Sequence, residues 1–440
     1  MAYPSSGAAA PLRPAGRRPG AAMALGLTLL LLAGTGQAQT RPPQRTPGAS
    51  LPGATLDSVL ALARQLSPEL AARGMETAAA QARVAIAGSL PDPTIQVMSD
   101  DIDRTSGPRP NKIIYSFQQE IPLWGRRDLR RQVARAEVGQ MTAQAQAAEA
   151  EVIERVKVAF ARYYTSYEAV HRTEDLHRAI HGIAQVARER YAQGRGEQQE
   201  VFRAEVDTTR VATEIVRLET ALRSAQGQLN ALLVRPTTAP LAAPERLRPL
   251  PEVRALDAAR LAERAGAANP ALAADAAAVS GADTNRRLTD RNWYPDITIG
   301  GAAVDRSGFG PGGYQAWVAM KVPLQWGLRE AQTREAGAQA GAARARRDAR
   351  ELQIRSDLAE AVAGFEGSRR TADLIRRQLL PQAQALVRSG AAGYGVGRVD
   401  LAAVLRAQHD LADFRLQLLS AEFDGQRQLA AIERLVGGDL

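Results

Sequence analysis

The chain changes character twice in the same way, and this double event limits what it can fold into. From position 115, "YSFQQEIPLWGRRDLRRQ" runs from alternating apolar residues into a proline, then Trp-Gly, then a basic helix-forming stretch. From position 314, "YQAWVAMKVPLQWGLREAQ" repeats the sequence of events. Other landmarks recur in the same order. Ser67-Pro68-Glu69-Leu70 matches Asn269-Pro270-Ala271-Leu272, each an N-cap residue followed by proline at the first helical position. Pro91-Asp92 matches Pro295-Asp296, Ile121-Pro122-Leu123 matches Val322-Pro323-Leu324, and Trp124-Gly125 matches Trp326-Gly327. Tyr191-Ala192-Gln193-Gly194-Arg195 matches Tyr394-Gly395-Val396-Gly397-Arg398. The offsets stay between 201 and 204, so the chain is two copies of one unit of about 200 residues.

Each unit reads helix, helix, strand, strand, long helix, helix. The first spans 55–234, with helices over Thr55 to Gln65 and Pro68 to Leu90 and strands at 94–102 and 112–121. Its long helix runs from Arg126 to beyond Arg188, and its last helix from Gln198 to Leu233. The second spans 253–440, with strands at 296–305 and 314–322, a long helix from Leu328 to Arg388 and a final helix from Leu401 to Val436. Residues 235–252 form a linker, because Pro236, Pro240, Pro244, Pro249 and Pro251 forbid a helix. Apolar residues at 211, 215, 218, 222, 225, 229 and 232 alternate in steps of four and three, the seam of a coiled coil. Aromatics are only 5% of the chain, which suits long helices packed along their length better than one large globular core.

The strands alternate instead. Ile113, Tyr115, Phe117 and Ile121 share one face, and Ser116, Gln118 and Glu120 the other. Tyr314, Ala316, Val318, Met320 and Val322 repeat the apolar row. Nine or ten residues is about the length a tilted strand needs to cross a bilayer. Pro122 and Pro323 end the ladders, since proline has no N–H to donate. Trp124 and Trp326 then stand where interfacial aromatics anchor a chain in the headgroup region of a membrane. Four strands alone cannot span lipid, because open edges leave backbone groups unpaired there. Two, three or four copies would give 8, 12 or 16 strands, and physics alone does not choose.

The N-terminus carries arginines, the apolar run "AAMALGLTLLLLAG" and then "TGQAQT". Residues 1–38 are therefore expected to be a signal peptide cleaved after Ala38, with Met23 as an alternative start, and 39–54 an extended proline-rich segment. There is no cysteine, which excludes disulfides, thiolate metal sites, cysteine nucleophiles and a lipid anchor on an N-terminal cysteine. The net charge is +9, but the arginines are scattered among Asp and Glu on helical stretches, so nucleic acid is not an expected partner.

The signatures "QEIPLWGRRDLRR" and "MKVPLQWGLREAQ", the twofold repeat, and the segments "YAQGRGEQQEVFRAE" and "YGVGRVDLAAVLRAQ" together resemble the TolC-family outer-membrane efflux proteins. The resemblance covers Thr55 to Val436. It implies a mainly α fold: a homotrimer whose long antiparallel helices form a periplasmic α-barrel, and whose four strands per protomer complete a 12-stranded barrel in outer-membrane lipid. It also implies an exit duct in a tripartite system, with a periplasmic adaptor (membrane fusion) protein and an inner-membrane RND-type pump as partners. "IPLWGRRDLRR" is most similar to the branch serving heavy-metal (cobalt-zinc-cadmium type) resistance pumps. Adaptor contact is expected at the two helix-to-helix turns, through Gly194, Arg195, Gly397, Arg398 and Asp400. The family often narrows its tunnel with acidic side chains just after the tip. Here those positions are Ala403 and Arg406, with Arg203 equivalent in the first copy. Arg203 and Arg406 are thus candidates for a basic periplasmic gate with a preference for anions, unless Glu200 or Glu205 neutralises them.

Enzymatic chemistry finds no support. His177 and His181 share a helix face, with His171 nearby, but nothing completes a metal set at tight spacing. "GFGPGG" lies between strands and opens no helix, there is no Gly-x-Ser-x-Gly elbow, and no cofactor is expected. Two alternatives to the efflux duct stand beside it: a type I secretion channel, and a soluble periplasmic coiled-coil scaffold, which would have no use for two hairpins of membrane-spanning length.

Overall fold

The computed structural model describes residues 51–100, 112–305 and 312–440. The expected signal peptide, most of the segment 39–54 and most of both hairpin loops lie outside the described residues. The first copy contains α1 (Leu56–Leu66), α2 (Pro68–Ala87), β1 (Thr94–Asp100), β2 (Lys112–Ile121), α3 (Arg126–Ala192) and α4 (Gln198–Leu232). The second contains α5 (Ala258–Ala268), α6 (Pro270–Asp290), β3 (Asp296–Asp305), β4 (Gly313–Lys321), α7 (Trp326–Leu374), α8 (Leu380–Gly395) and α9 (Leu401–Val436).

The caps read from sequence form. Ser67 Oγ accepts from Leu70 N at 3.4 Å, and Asn269 Oδ1 accepts from Ala271 N and Leu272 N at 2.8 and 3.1 Å. At 67 residues α3 is about 100 Å long. Every seam position from Val211 to Leu232 is buried or half-buried. Phe160 and Leu229 anchor one core in the first copy, and Phe365, Leu429 and Ile432 anchor its counterpart in the second. A third core near the turns joins the copies through Ile180 and Ala184 of α3, Val211 of α4 and Leu405 of α9.

The second long helix departs from expectation. It begins at Trp326 rather than Leu328 and continues to Gly395, but a π turn over Ile375–Leu379 separates α7 from α8. Leu380 N–H bonds to Ile375 O, five residues back, immediately before Pro381. The repeat explains this turn. Trp124 and Trp326 are offset by 202, whereas Tyr191 and Tyr394 are offset by 203. The second copy holds one extra residue between these landmarks, and i→i+5 bonding absorbs it without ending the helix. Smaller departures concern ends: α2 stops at Ala87, capped by Gly88, and β4 stops at Lys321.

The strands form one antiparallel sheet in the order β1-β2-β3-β4, leaving β1 and β4 as open edges. Register fixes the faces. Val97 lies opposite Tyr115, Tyr115 opposite Ala303, and Ala303 opposite Tyr314. One face therefore carries Ile95, Val97, Tyr115, Phe117, Ile299, Tyr314, Val318 and Met320 across all four strands. The other carries Gln96, Ser116, Gln118, Glu120, Thr298, Gln315 and Lys321. Tyr314 is 92% and Ile95 74% exposed. Bare apolar surface on this scale marks a partner or a membrane, since each buried Å² gains about 25 cal/mol. On the polar face Trp317 lies over Gly300 so closely that a Cβ there would stand 2.3 Å from the indole.

A buried ionic cluster ties the copies and linker together. Lys157 of α3 donates to Glu433 of α9 at 2.8 Å and also pairs with Asp439. Arg248 of the linker donates twice to Glu433, at 2.7 and 3.1 Å.

Candidate functional site at the helical tip

Both copies reverse direction with the same backbone device. In the first, Gly194 takes φ 70°, Arg195 N–H bonds to Arg190 O at 2.8 Å and Gly194 N–H to Tyr191 O at 2.9 Å. In the second, Gly397 takes φ 74°, Arg398 N–H bonds to Gly393 O at 2.8 Å and Gly397 N–H to Tyr394 O at 3.0 Å. This double closure requires a left-handed residue, which a Cβ would strain by roughly 1–2 kcal/mol. Arg195 and Arg398 project from these turns, exposed and in no ion pair among the described residues. Asp400 precedes α9 as its N-cap, exposed and without a side-chain cap bond. Its charge complements the positive end of that helix.

Beside the turns the copies are coupled by a contact that no short motif announces. Tyr394 is 4% exposed, and the Arg190 guanidinium lies 4.5 Å from its ring centroid. Arg190 also donates to Tyr394 O and, at 3.3 Å, to Arg195 O. The Tyr394 hydroxyl donates to Glu200 Oε2 at 3.2 Å. Burial, reinforced by the Glu200 charge, pushes the phenol up to about 12, so it stays a donor. The arrangement is not repeated. At the offset of 203, Arg190 corresponds to Gly393, Glu200 to Ala403 and Tyr394 to Tyr191, which is 48% exposed. Comparing the copies residue by residue shows these three substitutions in sequence; that they meet in space depends on the packing of α3 against α9.

Arg203 of α4 and Arg406 of α9 are both exposed and enter no ion pair among the described residues. The carboxylates weighed as their partners are otherwise engaged: Glu205 pairs with Arg188 at 2.9 Å, and Glu200 receives Tyr394. One turn further along, His409 Nε2 lies 3.7 Å from Asp207 Oδ2. His177 and His181 stack with centroids 6.5 Å apart, and no cluster of three or more metal-binding side chains occurs among the described residues.

At the other end of the helices lie the two tryptophans. Trp124 has φ 60°, donates from Nε1 to Pro295 O at 2.8 Å and contacts the Tyr294 ring at 5.2 Å. Trp326 is instead the first residue of α7, 64% exposed, with its ring 6.1 Å from that of Trp293. Gln325, which has no counterpart in "PLWG", accounts for the different backbone. Arg126 fixes the joint at Trp124, pairing with Asp296 and donating to Asn292 Oδ1 at 2.7 Å.

Long paired helices, a two-faced open sheet at one end and tight turns at the other define a stave: one protomer's share of a closed channel wall. The particular family follows from comparison. Residues 59–234 and 261–438 match the model for the outer membrane efflux protein family, one copy to each segment, and the chain belongs to that family. No curated protein matches it significantly. Among solved structures it is similar to the outer-membrane channel OprN, with TM-score 0.75 and 17% identity over 87% of this chain and 90% of that one. It is equally similar to the outer membrane protein VceC of Vibrio cholerae, with TM-score 0.75 and 17% identity over 87% of this chain and 96% of that one. The open state of the Neisseria gonorrhoeae MtrE outer membrane channel matches with TM-score 0.72 and 17% identity, over 89% of this chain and 94% of that one.

Proposed function

We propose that the chain is the outer-membrane exit duct of a tripartite efflux system, conducting substrate passively from an inner-membrane pump to the exterior. The observation that carries this is the sheet: apolar on one face across all four strands, polar on the other, and open at both edges. Such a sheet is stable in lipid only when sister copies close it. Three copies, as the family resemblance implies, complete 12 strands with the polar face inward. Trp124 and Trp326 anchor the headgroup level, and the helices continue the wall into the periplasm after signal-peptide cleavage.

At the tips, Gly194 and Gly397 set the turns, while Arg195, Arg398 and Asp400 are offered to a periplasmic adaptor, with an RND-type pump behind it. Arg203 and Arg406, exposed and unpaired, form the resting gate. The cargo class supported by "IPLWGRRDLRR" is heavy-metal cations or drugs. No chemistry is catalysed. The test is reconstitution. Purified protein should sediment as a trimer and conduct ions across a planar bilayer. A monomer, or a protein stripped from membranes by carbonate, overturns the reading. Alanine at both Arg203 and Arg406 should raise resting conductance and weaken anion preference; no change in either removes the gate assignment.

A further inference from the structure

The repeat carries the structure past its own edges. Shifting β1 by 204 residues and β2 by 201 turns the first hairpin into the second. Under those shifts Ile95 opposite Phe117 becomes Ile299 opposite Val318, and Thr94 opposite Gln118 becomes Thr298 opposite Ala319; both are pairs that form. The seam between the copies is β2 against β3, with Phe117 opposite Gly301 and Gln118 opposite Gly300. The same shifts take β2 to β4 and β3 to β1, the two open edges, whose counterpart seam does not exist within one chain.

We propose that β4 of one copy joins β1 of the next in the register of the internal seam, setting Val318 opposite Val97, Ala319 opposite Gln96 and Trp317 opposite Met98. This rests on the duct reading for the existence of the oligomer, but the register does not depend on the number of copies. The faces agree. Val318 and Val97 both belong to the apolar face, and Ala319 and Gln96 both to the polar one. A slip of one residue would set apolar side chains against the polar face along the whole edge.

The helices repeat the argument independently. In the internal joint Leu405 of α9 is 2% exposed, and Ile183 of α3 packs on the same core. Their counterparts at the offset of 203 are Phe202 of α4 and Leu386 of α8, which are 57% and 56% exposed. Positions covered inside one chain thus lie bare where α8 would meet α4 of the next copy. The inter-copy joint is not identical to the internal one, because Gly393 and Ala403 replace Arg190 and Glu200. It is an apolar joint without the ionic latch, so latched and unlatched seams alternate around the tip.

The chain has no cysteine, so introduced pairs report alone. In the full-length protein, Ala319→Cys combined with Gln96→Cys should oxidise to a ladder of covalent multimers, in detergent and in vesicles. A bridge within one copy is excluded, since β1 and β4 lie at opposite edges of the sheet. Ala319→Cys with Thr94→Cys or Met98→Cys should bridge at least about tenfold more slowly, because residues displaced by two lie beyond disulfide reach. Single Phe202→Cys and Leu386→Cys variants should resist a water-soluble maleimide in the assembly. Faster bridging in a displaced pair overturns the register. No bridging in any pair, in protein that sediments as an oligomer, overturns the edge joint and leaves the duct reading standing. A monomer by sedimentation overturns both.

Discussion

Arg190 covers the ring of Tyr394, one residue from each copy of the repeat, while the tyrosine hydroxyl is held by Glu200. The first copy supplies the charges and the second the aromatic ring, so the contact clamps the two helical hairpins of one chain together at the tip.

If the tip is the resting gate, loosening this clamp favours the open duct. A hydrogen bond to a charged group contributes about 1.5–3 kcal/mol, and 1–2 kcal/mol changes a two-state ratio about 5- to 30-fold. Tyr394→Phe keeps the ring under Arg190 but removes the bond to Glu200, and should raise resting conductance by about fivefold or more in a planar bilayer. Arg190→Ala should raise it further. Tyr191→Phe, at the exposed equivalent position, should leave it unchanged.

The same contact sets a pH response. The Tyr394 phenol is raised to about 12 from its ordinary value near 10. A group raised in the folded state contributes fully below its unfolded value and loses that contribution as pH rises through the folded one. Resting conductance should therefore be flat from neutral pH to about 10 and climb between about 10 and 12. Tyr394→Phe should abolish that climb, and a climb that survives the substitution would assign it to another group.

Much of this architecture is legible before any coordinates. Proline after an N-cap marks the starts of α2 and α6, alternation separates the sheet's faces, and Gly194 and Gly397 mark the reversals. Even the π turn leaves a trace, as the growth of the repeat offset from 202 to 203, although the offset cannot place it within a helix. What sequence does not reveal is choice of partner. Glu200 and Glu205 stand beside Arg203 in the chain, yet Tyr394 and Arg188 take them, because helix packing rather than proximity in sequence decides which side chains meet. Lys157 and Glu433 meet across 276 positions for the same reason.

That buried cluster predicts a stability effect separate from conduction. The Glu433 side chain is 3% exposed and is shared by Lys157 and Arg248. Glu433→Ala leaves two cations facing each other with little water, which should cost about 3–5 kcal/mol in denaturant unfolding. The Lys157 ammonium beside Asp439 holds that carboxyl below the usual carboxylate range. A depressed acid contributes above its unfolded value, near 4, and loses that contribution as pH falls. Stability should therefore drop on acidification below about pH 4, less in Asp439→Asn than in the parent.

The π turn sets the rotational phase of everything beyond it, which gives a mechanical prediction. Each residue of an α-helix turns the chain by about 100°. Deleting Arg377 from the π turn should restore ordinary i→i+4 bonding and rotate α8, and Tyr394 with it, by about that angle. The ring would leave Arg190, and the deletion should match or exceed the resting conductance of Arg190→Ala while keeping its helical circular dichroism. Pro381→Ala changes no phase, since the extra residue remains, and should leave conductance at the parental level. If the deletion conducts like the parent, the extra residue is neutral padding and Tyr394 does not depend on it for its place at the tip.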